Sequence, residues 1–138
     1  MARTRDGINE LFDAVRKKWV RLTPEEWVRQ HMVQYLLELG YPPSLLAVEK
    51  EIRLGELKKR CDIVVYNHHA APCIIIECKE MNTPLSEAVL HQVLRYHAGL
   101  AVPFVIITNG LYCQGFRKTA DRFTETHEFP LPAQFMNG

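Results

Sequence analysis

Several features that would quickly assign a protein to a class are missing from this 138-residue sequence. No apolar run approaches the roughly 20 residues needed to cross a bilayer. The charged first residues are not followed by the apolar stretch of a signal peptide. These absences predict a cytoplasmic protein without a membrane partner. The sequence also lacks a GxxxxGK(S/T) phosphate-binding loop and any other cofactor motif, which disfavours a small metabolic enzyme.

Net charge is nearly absent as well. The 17 lysines and arginines almost balance the 16 aspartates and glutamates, and the formal net charge is +1. Bulk charge therefore neither supports nor excludes a polyanionic partner. Any nucleic-acid-binding surface must come from local clustering of basic residues. No helix-turn-helix or other base-reading motif is found in the sequence.

Cysteine is scarce and its spacing forms no recognisable motif. The four cysteines stand singly inside apolar segments: Cys61, Cys73, Cys78 and Cys113. Because CxxC pairs and the density of a disulfide scaffold are absent, we interpret them as reduced core residues. A zinc site that combines them with His68 and His69 is disfavoured, since Cys73 and Cys78 would face opposite sides of a strand. The two histidines fit a hairpin tip better.

The residues that are present, 47% hydrophobic and 24% charged, are those of one ordinary globular domain. Residues 1–22 mix charges with apolar residues at helical spacings, and we predict an N-terminal helical arm there. The core should extend over residues 23–120. Residues 121–138 should form a C-terminal extension that packs on the core or trails from it.

Helix and strand signals alternate along this core. The Thr23 hydroxyl can cap a helix that begins with Glu26 in its first turn and stops at Gly40, and Ser86 begins a second amphipathic helix. Apolar or alternating segments predict strands over residues 46–55, 61–66, 73–78 and 103–108, and Asn109-Gly110 predicts a hairpin into residues 111–116. The fold class is therefore α/β, with a mixed, mostly antiparallel sheet flanked by helices.

One group of residues carries chemistry. Glu77 and Lys79 follow the apolar segment Ile74-Ile75-Ile76, and they share one face of a strand because side chains alternate. If this strand pairs with the preceding one as a hairpin, Asp62 comes beside them. Two carboxylates and an ammonium would then converge, a set suited to Mg²⁺-dependent hydrolysis of phosphate esters, with the Cys78 backbone carbonyl as a further ligand. The plainer interpretation is a solvated ion pair at a strand end with Asp62 in a turn.

The acidic-x-Lys pattern alone is weak, since Glu56-Leu57-Lys58 also matches it. The wider pattern, however, resembles the PD-(D/E)XK nuclease superfamily, and more closely the N-terminal nuclease domain of type I restriction enzyme R subunits. The resemblance extends from about Thr23 to Phe116. It is carried by Thr23-Pro24-Glu25-Glu26, Arg29-Gln30-His31, Val48-Glu49-Lys50-Glu51-Ile52, Lys59-Arg60-Cys61-Asp62-Ile63-Val64-Val65-Tyr66, Ile74-Ile75-Ile76-Glu77-Cys78-Lys79, Gln92-Val93-Leu94-Arg95-Tyr96 and Ile106-Ile107-Thr108-Asn109-Gly110.

The resemblance implies a restriction-endonuclease-like fold in which Asp62 and Glu77 are metal ligands and Lys79 is the catalytic lysine. The proline that names the motif is absent, and Arg60-Cys61 stands before Asp62 instead. A glutamate on the first helix often completes such sites. Glu26 is the candidate, although helix capping explains it equally well.

The resemblance also implies a role for Gln92 and Tyr96, which match a glutamine and tyrosine motif after the catalytic lysine. They share one helical face because they are four residues apart. Without the resemblance, we would interpret Gln92 as an exposed polar residue and Tyr96 as a half-buried aromatic residue. Four basic residues near the acidic site either contact DNA phosphates or belong to a solvated turn: Arg53, Lys58, Lys59 and Arg60.

These inferences predict a Mg²⁺-dependent endonuclease of the restriction-modification type that hydrolyses DNA phosphodiester bonds, with Mn²⁺ as a substitute ion. The alternative is a catalytically silent nuclease-fold module for DNA binding or assembly. A homodimer is one expected arrangement, since cutting both strands with a single site requires two visits or two copies. The other is a separate specificity or translocase subunit, since the sequence carries neither a base-reading motif nor a nucleotide-driven motor.

Overall fold

The structure is a computed structural model that describes residues 1–120 and 122–135. In these residues the chain forms a small three-stranded sheet, a six-stranded sheet and three α-helices. Predictions for Asp121 and residues 136–138 lie outside the described residues. No helix in the described ranges is both long and apolar enough to span a membrane.

The predicted helical arm over residues 1–22 is wrong. These residues form the antiparallel strands β1 (Ala2–Arg5), β2 (Ile8–Asp13) and β3 (Lys18–Arg21). Asp6 and Gly7 both have positive φ angles, of 51° and 78°, as a two-residue hairpin turn with the twist of its flanking strands requires. Asp-Gly is a strong hairpin signal, and it outweighs the helical spacing of the apolar residues that follow.

The helix α1 (Pro24–Leu39) is confirmed with its predicted ends. The Thr23 hydroxyl accepts a hydrogen bond from the Glu26 amide at 3.0 Å, and Gly40 ends the helix in the left-handed region with a φ of 104°. A 3₁₀ turn over Pro43–Leu45 then leads into the central sheet. The capping therefore fixes where the helix begins and ends beside that sheet.

The central sheet is mixed and mostly antiparallel, as expected. Its strands are β4 (Leu46–Leu54), β5 (Leu57–Tyr66), β6 (Pro72–Cys78), β7 (Phe104–Thr108), β8 (Cys113–Thr119) and β9 (Arg122–Thr126). They lie side by side in chain order, and only β6 and β7 are parallel. A parallel pair needs a crossover, which here contains helix α2 (Glu87–His97). The predicted C-terminal extension contributes β9 and the short helix α3 (Pro132–Phe135), so its first part belongs to the core sheet.

Apolar side chains cover both faces of this sheet. One cluster joins α1 to β5, β6 and β7 and includes Val28, Leu36, Ile63, Ile74, Ile76 and Phe104. On the opposite face, Val93 of α2 packs with Val105, Ile107 and Phe116. Cys61, Val64 and Ile75 form a third cluster with Leu100 and Val102, which follow α2. The sheet therefore holds the end of α2 and the start of α1 close to the ends of β5 and β6.

Candidate active site

A cavity of about 400 Å³ lies where α1, β4, β5, β6 and α2 meet. The five residues predicted to be catalytic all line it: Asp62, Glu77, Lys79, Gln92 and Tyr96. These side chains come from three elements spread over 35 positions of the sequence. The fold thus gathers the predicted set into one concave site.

An irregularity in the backbone accompanies Asp62. Residues Val48 and Lys50 of β4 pair with Ile63 and Cys61 of β5, but Glu49, which would face Asp62, has no partner in the ladder. Glu49 has a φ of 53°, and a non-glycine residue in the left-handed region is strained. Both Glu49 and Asp62 line the cavity. Interrupted pairing therefore frees this part of both strands to line the cavity.

The Asp62 carboxylate bridges three elements. One oxygen accepts a hydrogen bond from the Cys78 amide at 2.8 Å, which ties β5 to the end of β6. The other accepts one from the Arg29 guanidinium of α1, also at 2.8 Å. The Asp62 side chain is 14% exposed. Asp62 is consequently held in one orientation at the cavity wall.

Glu77 is a half-buried acid, with its side chain 16% exposed, and it has little compensating charge. Its Oε1 atom lies 3.0 Å from Nε2 of His97, and in the described residues it forms no ion pair with lysine or arginine. Burial, and then the nearby Asp62 charge, raises the pKa of Glu77 to about 9. Burial, followed by the charge of Lys59, lowers the pKa of His97 to about 4. A cation bound between Glu77 and Asp62 would favour the charged form of Glu77, so the raised pKa of Glu77 fits a cation site.

Lys79 extends beyond β6 and joins the same wall. Its backbone amide donates to the Thr108 carbonyl at 2.8 Å, so the parallel pairing of β6 and β7 continues one residue past the strand. Between Glu77 and Lys79, the Cys78 side chain is buried in the core. The backbone of Cys78, whose carbonyl was considered as a ligand, is anchored through its amide to Asp62.

Tyr96 of α2 reaches across to β5. Its hydroxyl accepts a hydrogen bond from the Arg60 amide at 3.3 Å, and the ammonium of Lys59 lies 4.3 Å from the centre of its ring. Gln92, one helical turn earlier, is exposed at the mouth of the cavity. Gln92 and Tyr96 therefore lie on the same face of α2, as their spacing predicted.

The first helix presents Glu25 to the cavity rather than Glu26. Glu26 does not line the cavity; Arg16 and Arg29 hold its carboxylate, at 2.8 and 2.9 Å. Glu25 lines the cavity, and burial followed by the Asp62 charge raises its pKa. Sequence reasoning missed Glu25, although it stands beside the residue that was singled out.

Arg29 is the centre of a buried network that the sequence did not reveal. It is 5% exposed and contacts Glu25 at 2.9 Å, Glu26 at 2.9 Å and Asp62 at 2.8 Å. Burial alone would lower the pKa of Arg29, but Asp62 and Glu26 raise it above the usual value. The network continues from Glu26 to Arg16 and from there to Asp13, which is fully buried at the end of β2.

The four basic candidates are not equivalent. Arg60 lines the cavity, is largely exposed and lies 3.4 Å from Glu49. Lys59 packs on the Tyr96 ring. Arg53 and Lys58 face each other across β4 and β5, away from the cavity lining, and Arg53 pairs with Glu51 at 3.2 Å. The structure thus brings one of the four, Arg60, to the cavity wall.

The sheet and its helices define an α/β domain similar to a nuclease fold. A protein described as a nuclease of the DUF820 group, from Anabaena variabilis ATCC 29413, matches with a TM-score of 0.54 at 10% identity, over 90% of this chain and 82% of that one. A fragment described as an HsdR subunit of a type I restriction enzyme, from Vibrio vulnificus YJ016, matches with a TM-score of 0.60 at 20% identity. Likeness at such identities shows the fold alone.

The sequence itself shows the family. Residues 24–130 match the family described as type I restriction enzyme R protein N terminus (HSDR_N), and the chain belongs to that family. The match to the Vibrio fragment covers 83% of this chain but only 24% of that one. None of the curated proteins matches this chain.

Proposed function

We propose that this domain is a Mg²⁺-dependent nuclease that hydrolyses DNA phosphodiester bonds, with Asp62 and Glu77 as the metal ligands and Lys79 as the catalytic lysine. The observation that carries the proposal is the convergence of these three residues in one cavity, where the half-buried Glu77 lacks an arginine or lysine partner in the described chain. Membership of the restriction-subunit family supports the same class of activity.

The oxygen donors fit a hard cation. Magnesium prefers carboxylate and carbonyl oxygens and retains several waters. Asp62 and Glu77 supply two carboxylates, the Cys78 carbonyl is a third candidate, and Glu25 replaces Glu26 as the candidate from α1 because it lines the cavity. When bound, the ion would offset charge that builds on the phosphate. Mn²⁺ should substitute, since it accepts similar ligands.

The remaining side chains would position the reactants. Lys79 would orient an attacking water or take up its proton. Gln92 and Arg60, both exposed at the cavity, would contact the DNA backbone. Tyr96 would hold the backbone of β5 in place through its hydrogen bond to the Arg60 amide. Recognition of sequence and translocation would be supplied by a separate specificity or translocase partner, and a second copy of the chain would let both strands of a duplex be cut.

One observation favours the alternative of a silent binding or assembly module. Asp62 already has protein partners at both oxygens, Arg29 and the Cys78 amide. A metal must therefore share or displace the Arg29 contact. If it cannot, the cavity would bind DNA without cutting it.

Plasmid cleavage separates the two functions. Purified protein is incubated with supercoiled plasmid or linear single-stranded DNA in Mg²⁺, Mn²⁺ or chelator, alongside Asp62→Ala, Lys79→Ala and Glu77→Gln. We expect metal-dependent cutting by the wild type and none by the variants. Glu56→Gln is the matched control, because Glu56 begins the second acidic-x-Lys pattern, outside the cavity. DNA binding without cutting in either metal would instead support the module.

A further inference from the structure

A second set of metal-binding atoms adjoins the proposed magnesium site. The ligand atoms of Cys61 on β5, Glu77 on β6 and His97 at the end of α2 all lie within 4.8 Å of one another. Cys61 and His97 are each 1% exposed. The three residues come from three different elements, so the tertiary fold, rather than a local sequence motif, creates the cluster.

The donors of this set differ in kind from those of the magnesium site. Sulfur, imidazole nitrogen and one carboxylate oxygen are the ligands of Zn²⁺ and its neighbours Co²⁺ and Ni²⁺, whereas Mg²⁺ binds oxygen. With metal–ligand bonds of about 2.0–2.3 Å, atoms around a tetrahedral ion lie roughly 3–4 Å apart. Small side-chain movements would therefore close this set around an ion.

Bonding within the cluster is incomplete. Nδ1 of His97 is buried without a hydrogen-bond partner in the part of the chain that the structure describes, which is uncommon for a buried imidazole. The Cys61 thiol makes only a long contact, of 3.8 Å, with the Lys59 carbonyl. Glu77 contacts Nε2 of His97 and forms no ion pair with lysine or arginine in the described residues. A bound cation would give the Cys61 sulfur and the Glu77 carboxylate a stronger partner and would use one of the two ring nitrogens of His97.

Access and an open coordination position are also present. Cys61, Glu77 and His97 all line the 400 Å³ cavity, which an ion can enter from solvent. Three protein ligands leave a fourth position of a tetrahedral ion free for water or a phosphate oxygen. The geometry therefore suits an exchangeable ion rather than a fully enclosed structural one.

We propose that Cys61, Glu77 and His97 form a site for Zn²⁺ or a similar nitrogen- and sulfur-binding divalent ion. On binding, the S–H bond of Cys61 and the O–H bond of a protonated Glu77 break, sulfur–metal and oxygen–metal bonds form, and the protons pass to solvent. Because Glu77 belongs to both donor sets, we expect this ion and Mg²⁺ to compete for its carboxylate. Only this competition rests on the proposed nuclease function; the binding itself does not.

Cobalt absorption tests the binding directly. Co²⁺ is titrated into the purified metal-free protein, and the near-ultraviolet thiolate-to-cobalt band and the visible bands of a tetrahedral ion are recorded. We expect both, and we expect Zn²⁺ to abolish them by displacement. A wild-type spectrum without a thiolate band overturns the proposal, whatever the variants do.

Variants then assign the ligands. Cys61→Ser, with Cys61→Ala as a second variant should the first not fold, is expected to lose the thiolate band. His97→Gln is expected to weaken Co²⁺ binding by at least the roughly 10- to 100-fold that loss of an outer partner costs. Cys73→Ser and Cys113→Ser are the controls and should keep the band, because these cysteines lie outside the cluster. A band that survives in Cys61→Ser, or disappears in a folded Cys113→Ser, contradicts the assignment.

Cleavage assays separate this proposal from the nuclease proposal. If the domain cuts DNA in Mg²⁺, Zn²⁺ should inhibit the wild type, and Cys61→Ser should resist that inhibition by at least about tenfold in Zn²⁺ concentration. Equal inhibition of both proteins contradicts this competition for Glu77. If the domain does not cut DNA but shows the cobalt spectrum, the nuclease proposal fails while the site stands.

Discussion

The Arg29 guanidinium of α1 donates a hydrogen bond of 2.8 Å to the Asp62 carboxylate of β5. A cationic side chain thus already neutralises an acid that is proposed to hold a metal ion. The same arginine contacts Glu25 and Glu26. Removing Arg29 would take a positively charged partner away from these carboxylates. The contribution of Arg29 to the free energy of unfolding can therefore be measured.

Replacing Arg29 with methionine should strongly destabilise the fold. Breaking a buried ion pair by removing one partner costs about 3–5 kcal/mol, because the other charge remains buried. Urea denaturation measures the free energy of unfolding. Arg53→Met is the control, since Arg53 pairs with Glu51 at the surface and should change stability by less than about 1 kcal/mol. Similar losses in both variants would argue against a central role for Arg29.

Replacing Glu77 with glutamine should separate stability from metal binding. A half-buried acid without a lysine or arginine partner is unfavourable, so in chelator the variant should be as stable as the wild type or more stable by about 0.5–2 kcal/mol. Mg²⁺ at 100 times its dissociation constant should stabilise the wild type by about 2.7 kcal/mol and leave the variant unchanged. Thermal melts with and without the ion measure this, and an equal response of both proteins would exclude Glu77 as a ligand.

Asp13 should make the N-terminal sheet sensitive to acid. Burial raises its pKa, but hydrogen bonds from Arg16 and Gln30 outweigh burial and hold the pKa below the usual 3.8. An acid whose pKa is lowered on folding contributes stability above its unfolded pKa, and that contribution is lost as the pH falls through the folded value. Asp13→Asn should cost about 1–3 kcal/mol at neutral pH.

The difference in the free energy of unfolding between wild type and Asp13→Asn should shrink below pH about 4, because protonation of Asp13 then removes the stability that its carboxylate contributes. Denaturation at several pH values measures it. Asp6→Asn is the control, because Asp6 is exposed in a turn with a positive φ that asparagine also tolerates. A constant difference across the pH range would contradict the assigned role of the charge.

Replacing Tyr96 with phenylalanine should cost about 0.5–1.5 kcal/mol of stability, because only the hydrogen bond to the Arg60 amide is lost. The ring that packs on Lys59 remains. If Tyr96 also positions β5 for the reaction, cleavage should fall by more than this stability loss explains. Tyr112→Phe, at an exposed position outside the cavity, should leave both quantities unchanged.

Replacing Arg60 with alanine should weaken DNA binding and lower the slope of log affinity against log salt by about one, as expected for one lost phosphate contact. Fluorescence anisotropy at several salt concentrations measures this slope. Arg5→Ala, an exposed arginine at the end of β1, is the matched control and should leave it unaltered. Equal changes in both would point to a diffuse electrostatic effect.

Much of the core could be predicted because its local signals agree with its tertiary packing. The Thr23 cap and the Gly40 stop bound α1, and the apolar segments of β5, β6 and β7 became buried strands. The residues before Thr23 were predicted wrongly, since helical spacing and the Asp6-Gly7 turn signal conflicted. In that conflict the turn determined the structure.

The site was only partly predictable, for a different reason. Asp62, Glu77 and Lys79 stand out because charged residues flank buried strands. Which of Glu25 and Glu26 faces the cavity depends on how α1 is rotated against the sheet, and local sequence does not fix that rotation. His97 meets Glu77 across 20 positions, and no spacing rule anticipates such a contact.

The chain of charges from Asp13 to Asp62 crosses the boundary at which the family match begins, residue 24. The segment that matches the family and the ion-paired network are therefore not the same. The N-terminal hairpins supply a counterion for the start of α1, since Arg16 contacts the Glu26 carboxylate at 2.8 Å. A shortened version that begins at Thr23 would keep every residue proposed for catalysis, yet it would leave Glu26 with Arg29 as its remaining arginine partner.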